Sequence, residues 1–136
     1  MTHPSPARHQ VSLAALWFGL LAAPVVWSLQ ILVLYPVVAH GCFPRDHPLS
    51  LPVFSVAPIV LLVSIAALVV AAAAGLVALK NWRTTREEHY SGQGHLLETG
   101  EGRSRFMALG GLLLSGLFFF GIMLNGLPFL LLGPCG

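Results

Sequence analysis

Charge is scarce in this chain: Asp, Glu, Lys and Arg together make up 9% of its 136 residues, where a soluble domain carries about 25%. A net charge of +2 supplies no basic field for holding a nucleic acid, and a 56% hydrophobic composition excludes disorder as the main state. Cysteine is scarcer still. Cys42 and Cys135 stand alone, with no Cys-x-x-Cys pair, which removes zinc ribbons, CxxC redox modules and c-type haem attachment. The six histidines all fall at or beyond the ends of the apolar runs. A haem sandwiched within a bundle needs histidines on facing helices at membrane depth, so a self-contained cytochrome b is not expected.

The apolar runs also lack any Asp, Glu, Lys, Arg or His, the residues with which proton pumps and ion-coupled transporters work inside a membrane. Ser28, Ser64 and Ser115 have no base or acid beside them at that depth, so no hydrolase site assembles, and each hydroxyl is expected to bond its own helix backbone. Gly92-x-Gly94 lacks both the third glycine and the preceding strand of a dinucleotide-binding turn. No internal repeat is evident.

What the chain does have is length without charge. Val11 to Val38, Leu51 to Leu79 and Phe106 to Leu132 are three uninterrupted apolar stretches, each longer than the roughly 20 residues that carry a helix across a bilayer. The expected fold is an all-α integral membrane bundle of three transmembrane helices in one domain spanning 1–136. A cytoplasmic loop would cover 80–105 and an extracytoplasmic loop 39–50. The first run is too long for a secretory signal, and no Ala-x-Ala site follows it, so it is expected to remain in the mature protein. Arg8, Lys80, Arg83, Arg86, Arg103 and Arg105 lie on one side of this topology, and Arg45 alone on the other. The positive-inside rule then puts the N-terminus in the cytoplasm and the C-terminus outside, in a multi-pass protein of the inner (cytoplasmic) membrane.

Pro24 removes the hydrogen bond to the Leu20 carbonyl and should kink the first helix near mid-membrane, while Pro36 is expected to mark its regular end. Trp27 is too deep for an interfacial belt and should pack on another helix, whereas Tyr35 suits the interface. Ser50, Leu51 and Pro52 read as a helix start, with Pro58 about two turns in. Ala67, Ala71 and Gly75 recur every four residues, as do Gly111 with Ser115 and Gly121 with Asn125. Such faces let neighbouring backbones approach closely. Trp82 and Tyr90 suggest that the second helix runs a turn or two past the interface before the glycines of the loop end it.

The polar residues singled out within the spans are Gln30 and Asn125, candidates for a direct interhelical amide contact. At the extracytoplasmic end, His40, Cys42, His47 and Cys135 are expected on the same oxidising side. Cys42 and Cys135 can close a loop of about 93 residues as a disulfide. Alternatively the four residues form a mixed nitrogen and sulfur site for copper or zinc, or the thiols stay free or bridge to another chain.

The chain resembles a family of small three-helix bacterial membrane proteins that accompany haem-copper cytochrome c oxidase components. The residues that carry the resemblance are Leu16-Trp17-x-Gly19-Leu20-Leu21 with Pro24, Trp27 and Tyr35, then Cys42, Arg105-Phe106 opening the third helix, and the Pro134-Cys135 ending. They cover the first and third helices and little of the second. The resemblance implies an association with aerobic respiration as a subunit or assembly partner. Together with the small-residue helix faces and the absence of a self-contained active site, it leads to the expectation of a non-catalytic accessory or assembly component of a respiratory complex, without cofactor, whose partners are the lipid bilayer and other membrane subunits such as a haem-copper oxidase. Two other function classes remain open: an extracytoplasmic copper- or thiol-handling protein, and a small channel or transporter subunit with Gln30 and Asn125 along its path. Three helices enclose no path alone, so the last requires a homo-oligomer.

Overall fold

The computed structural model describes residues 12–43, 55–91, 101–133 and 135. Three helices make up the described fold: α1 (Leu13–Cys42), α2 (Val56–Ser91) and α3 (Glu101–Leu131). Each packs against both of the others, and all three are long and apolar enough to cross a membrane. The chain runs up, down and up, so the end of α1, the start of α2 and the end of α3 meet at one end of the bundle. We call it the disulfide end, because Cys42 and Cys135 are bonded there.

The helix ends differ from the expected ones for local reasons. Ser12 caps α1, its hydroxyl accepting from the Ala15 amide at 3.1 Å, which satisfies a donor that has no partner inside the helix. Pro36 does not end α1. The helix continues to Cys42, the His40 imidazole donates from Nδ1 to the Pro36 carbonyl at 2.8 Å, and the Phe43 amide closes the last turn on Ala39 O at 2.9 Å. In hydrocarbon, leaving the helix would expose more backbone than the single bond that proline removes. Within α2, which begins at Val56, Pro58 therefore lies in the first turn, where its missing donor costs nothing, and not two turns in. The expected start at Ser50 to Pro52 falls outside the described residues. At its other end α2 runs to Ser91 and α3 begins at Glu101, so most of the expected 80–105 loop is helix. The α3 helix ends at Leu131, and two residues on Gly133 takes a φ of +85°, which is open to glycine at little cost.

The core is a seam of small residues. Along α2 the buried positions are Val56, Val60, Ser64, Ala67, Ala71, Ala74, Ala78 and Asn81, four apart as far as Ser64 and then alternately three and four. A stripe repeating every four residues would drift around a helix of 3.6 residues per turn, whereas an average of 3.5 keeps facing its neighbours in a left-handed bundle. Ala74 and Ala78 thus take the seam, and Gly75 sits beside it with its Cα facing Ser115. The α1 helix answers with Leu16, Gly19, Ala23, Gln30 and Leu34, and α3 with Ala108, Gly111, Ser115 and Ile122. The bulky side chains that face away from the seam, among them Leu32, Leu62, Leu76, Leu117 and Phe120, are exposed, as suits a surface bathed in lipid.

Candidate functional site

The tightest crossing lies away from the disulfide end. A Cβ on Gly111 would stand 2.9 Å from the Gly19 carbonyl oxygen, and one on Gly19 would meet Ala78 Cβ at 3.3 Å. Ser115 Oγ donates to that same Gly19 carbonyl at 3.2 Å. Gly19 is therefore the point at which all three helices touch, and only glycine leaves the room. One further step along, Trp27 packs on Phe118 with ring centroids 5.2 Å apart and planes tilted by 53°, and its indole lies over Gly121, where a Cβ would come within 3.4 Å of Nε1. The deep tryptophan is thus a packing residue, as its depth implied.

Of the three serines, only Ser28 bonds its own helix, donating to the Pro24 carbonyl at 2.9 Å. Ser115 reaches α1, and Ser64 Oγ accepts from Gln30 Nε2 at 3.2 Å in a buried contact between α1 and α2. The Gln30 amide does join two helices, with Ser64 as its partner in place of the expected Asn125. Its Oε1 is buried and has no hydrogen-bond partner. The relevant signal was already present in the sequence: Ser64 and Ser115 stand three or four residues from the small residues of the packing stripe, the register that turns a hydroxyl toward the neighbouring helix.

The consequences for stability differ between the two partners. Ser64→Ala leaves the whole buried carboxamide without a bond and should cost about 1–2 kcal/mol. Gln30→Met removes both the bond and the orphaned oxygen and should cost about 0.6 kcal/mol or less. Unfolding by detergent titration of the two purified variants measures the difference, and an equal loss in both would contradict this account.

Asn125 occupies the α3 position where the three-and-four spacing calls for a buried residue, between Ile122 and Phe129, yet it is exposed. The seam opens here. Two clefts flank this end of α3. One, of about 370 Å³, lies between α1 and α3 and is lined by Gln30, Leu34, Tyr35, Phe43, Asn125 and Phe129 among others. The other, of about 590 Å³, lies between α2 and α3 and is apolar apart from Ser64, with Ala57 and Gly126 as its small residues. At this end of the bundle the Cys42–Cys135 disulfide ties the end of α1 to the residues after α3, with an S–S distance of 2.11 Å and Cα atoms 5.4 Å apart. Cys42 is fully buried.

Among the described residues, no three of the His, Cys, Asp and Glu side chains gather as metal ligands. Cys42 and Cys135 are held in the bridge, His40 is exposed and bonds its own helix, and His47 lies outside the described residues. Ligation of copper or zinc by that set would require the bridge to be reduced, since the thiolate is the ligand. Compared with known proteins, the chain matches no family model, no curated relative and no solved structure. Its class rests on its own fold: among the described residues, a bundle of three helices, each long and apolar enough to cross a membrane.

Proposed function

We propose that this chain is a non-catalytic subunit or assembly partner of a larger membrane complex, and that it acts by helix packing. The observation that supports this reading is the 590 Å³ cleft between α2 and α3. It is apolar, and at Ala57 and Gly126 it carries small residues of the kind that let a further helix approach closely within a membrane. The distribution of basic residues favours a cytoplasmic N-terminus in a bacterial inner membrane, with the disulfide end on the oxidising side. The resemblance carried by Leu16, Trp17, Gly19, Pro24, Trp27 and Cys42 favours a respiratory complex of the haem-copper oxidase type as the partner.

Native extraction in mild detergent tests both parts. The chain should elute with oxidase subunits, and Gly126→Leu, which fills the cleft, should release it while leaving the bundle folded and the disulfide formed. A chain that elutes alone from native membranes overturns the reading. A complex unaffected by Gly126→Leu moves the interface to another face.

A further inference from the structure

Asn125 is exposed, and among the described residues no hydrogen bond reaches its carboxamide. Its depth follows from its neighbour. A Cβ on Gly126 would lie 3.8 Å from Ser64 Oγ, so Asn125 stands at the level of Ser64 on α2. The rise of an α-helix puts that level about 12 Å from Val56 and about 24 Å from Lys80. An apolar layer about 30 Å thick, laid anywhere between those two residues, encloses it. Acyl chains neither donate nor accept, so an exposed carboxamide at this depth is costly until another polar group meets it. A second unmet group lies within the same turn. Pro128, inside α3 and exposed, has no N–H to give to the Leu124 carbonyl, and a neighbouring helix is one of the usual sources of the missing donor.

We infer that this face of α3, from Leu124 to Leu132, is where two copies of the chain pair within the membrane. Copies inserted the same way round are related by a two-fold axis along the membrane normal, so each residue near that axis meets its own counterpart at its own depth. A carboxamide carries two N–H donors and an acceptor oxygen, which makes it its own complement. Each Asn125 donates one N–H to Oδ1 of the other and has a second for the Leu124 carbonyl across the axis. An unrelated protein would have to bring a polar group to this particular depth, whereas a second copy already carries one there. The exposed Leu124 and Leu132 then pack around the polar pair and keep lipid from it. This pairing uses a different face from the α2–α3 cleft and is independent of which complex the chain joins.

The test uses the full chain with its disulfide intact, singly labelled and reconstituted into phosphatidylcholine vesicles over a range of protein-to-lipid ratios. Single-molecule photobleaching counts the copies in each spot. The parent should pass from one copy to two as the ratio rises. Asn125→Leu should move that transition to about tenfold higher ratio, the factor carried by two interhelical hydrogen bonds of modest strength, even though leucine adds apolar surface. Asn125→Gln keeps both donor and acceptor and should pair like the parent. Gly116→Leu is the control: the position is exposed and, nine residues away, lies on the opposite side of α3, so pairing should be unchanged. Gly126→Leu should leave it unchanged too, so that this interface and the one at the α2–α3 cleft fail separately. A parent that stays single at every ratio overturns the inference, as does pairing that survives Asn125→Leu. In native membranes, a photocrosslinking residue at the exposed position 132, two turns along the same face, should give an adduct of twice the chain's mass. Capture of a different polypeptide, or of lipid alone, overturns the inference in favour of that occupant.

Discussion

Gly111→Ala should destabilise the bundle by about 1–3 kcal/mol, even though it replaces one of the poorest helix formers with the best. The reason lies on the neighbouring helix. An added Cβ would sit 2.9 Å from Gly19 O and 3.0 Å from Gly19 C, and both are backbone atoms that cannot rotate away. For α1 and α3 to separate, the Ser115 hydrogen bond to the same carbonyl, already at 3.2 Å, must lengthen beyond useful range, and the contact of Gly19 with Ala78 must loosen too. The matched control is Gly116→Ala, where an added Cβ meets nothing within 4 Å, so that helix propensity alone acts and stability should hold or rise slightly. Unfolding of both variants by detergent titration reads the contrast. Equal stabilities would mean that the crossing is looser than its geometry indicates.

How much of this was legible beforehand can be judged residue by residue. The three helices were legible because uncharged runs of such length have no other stable form in lipid. Trp27 as a packing residue followed from its depth, and a bond between Cys42 and Cys135 was one of the pairings that the topology allowed. The packing stripe of α2 was legible in part: Ala67 and Ala71 are buried and Gly75 faces Ser115, but the buried line continues through Ala74 and Ala78. Gly75 attracts the eye as the smallest residue, but small size permits close approach without specifying which face makes it, and Ala74 and Ala78 hold the seam. The contact between Gln30 and Asn125 failed for a related reason. Depth in the membrane is readable from position along a run, whereas rotation about each helix axis depends on all three helices together, and the opening of α3 near Asn125 is a property of the assembled bundle. Nothing in the spacing of a single run announces the clefts.

That opening makes the disulfide the second place where a large effect is expected. In a freely unfolded chain, a bridge spanning 93 residues contributes about 4–5 kcal/mol of loop-closure entropy. In a bilayer the separated state keeps its helices inserted, so the loop that the bridge closes is far shorter than its sequence span. Replacing both cysteines by alanine should therefore cost nearer to 2 kcal/mol, at the low end of the usual range. The loss should also be local. Near Gly111 and Ser115 the helices hold one another through backbone contact and a hydrogen bond, but beyond Ile122 α3 has a cleft on either side, and Phe129, packed on the cluster of Leu34, Val56 and Val60, shares with the bridge the work of keeping it in place. Nitroxide labels at the exposed positions 35 and 130 should give a broadened distance distribution in the doubly substituted protein. Labels at the exposed positions 18 and 113 should remain as sharp as in the parent. Broadening at both pairs would show that the bridge supports the whole seam. Broadening at neither would show that the clefts do not weaken the hold of α3, and that helix packing alone fixes it up to Gly133.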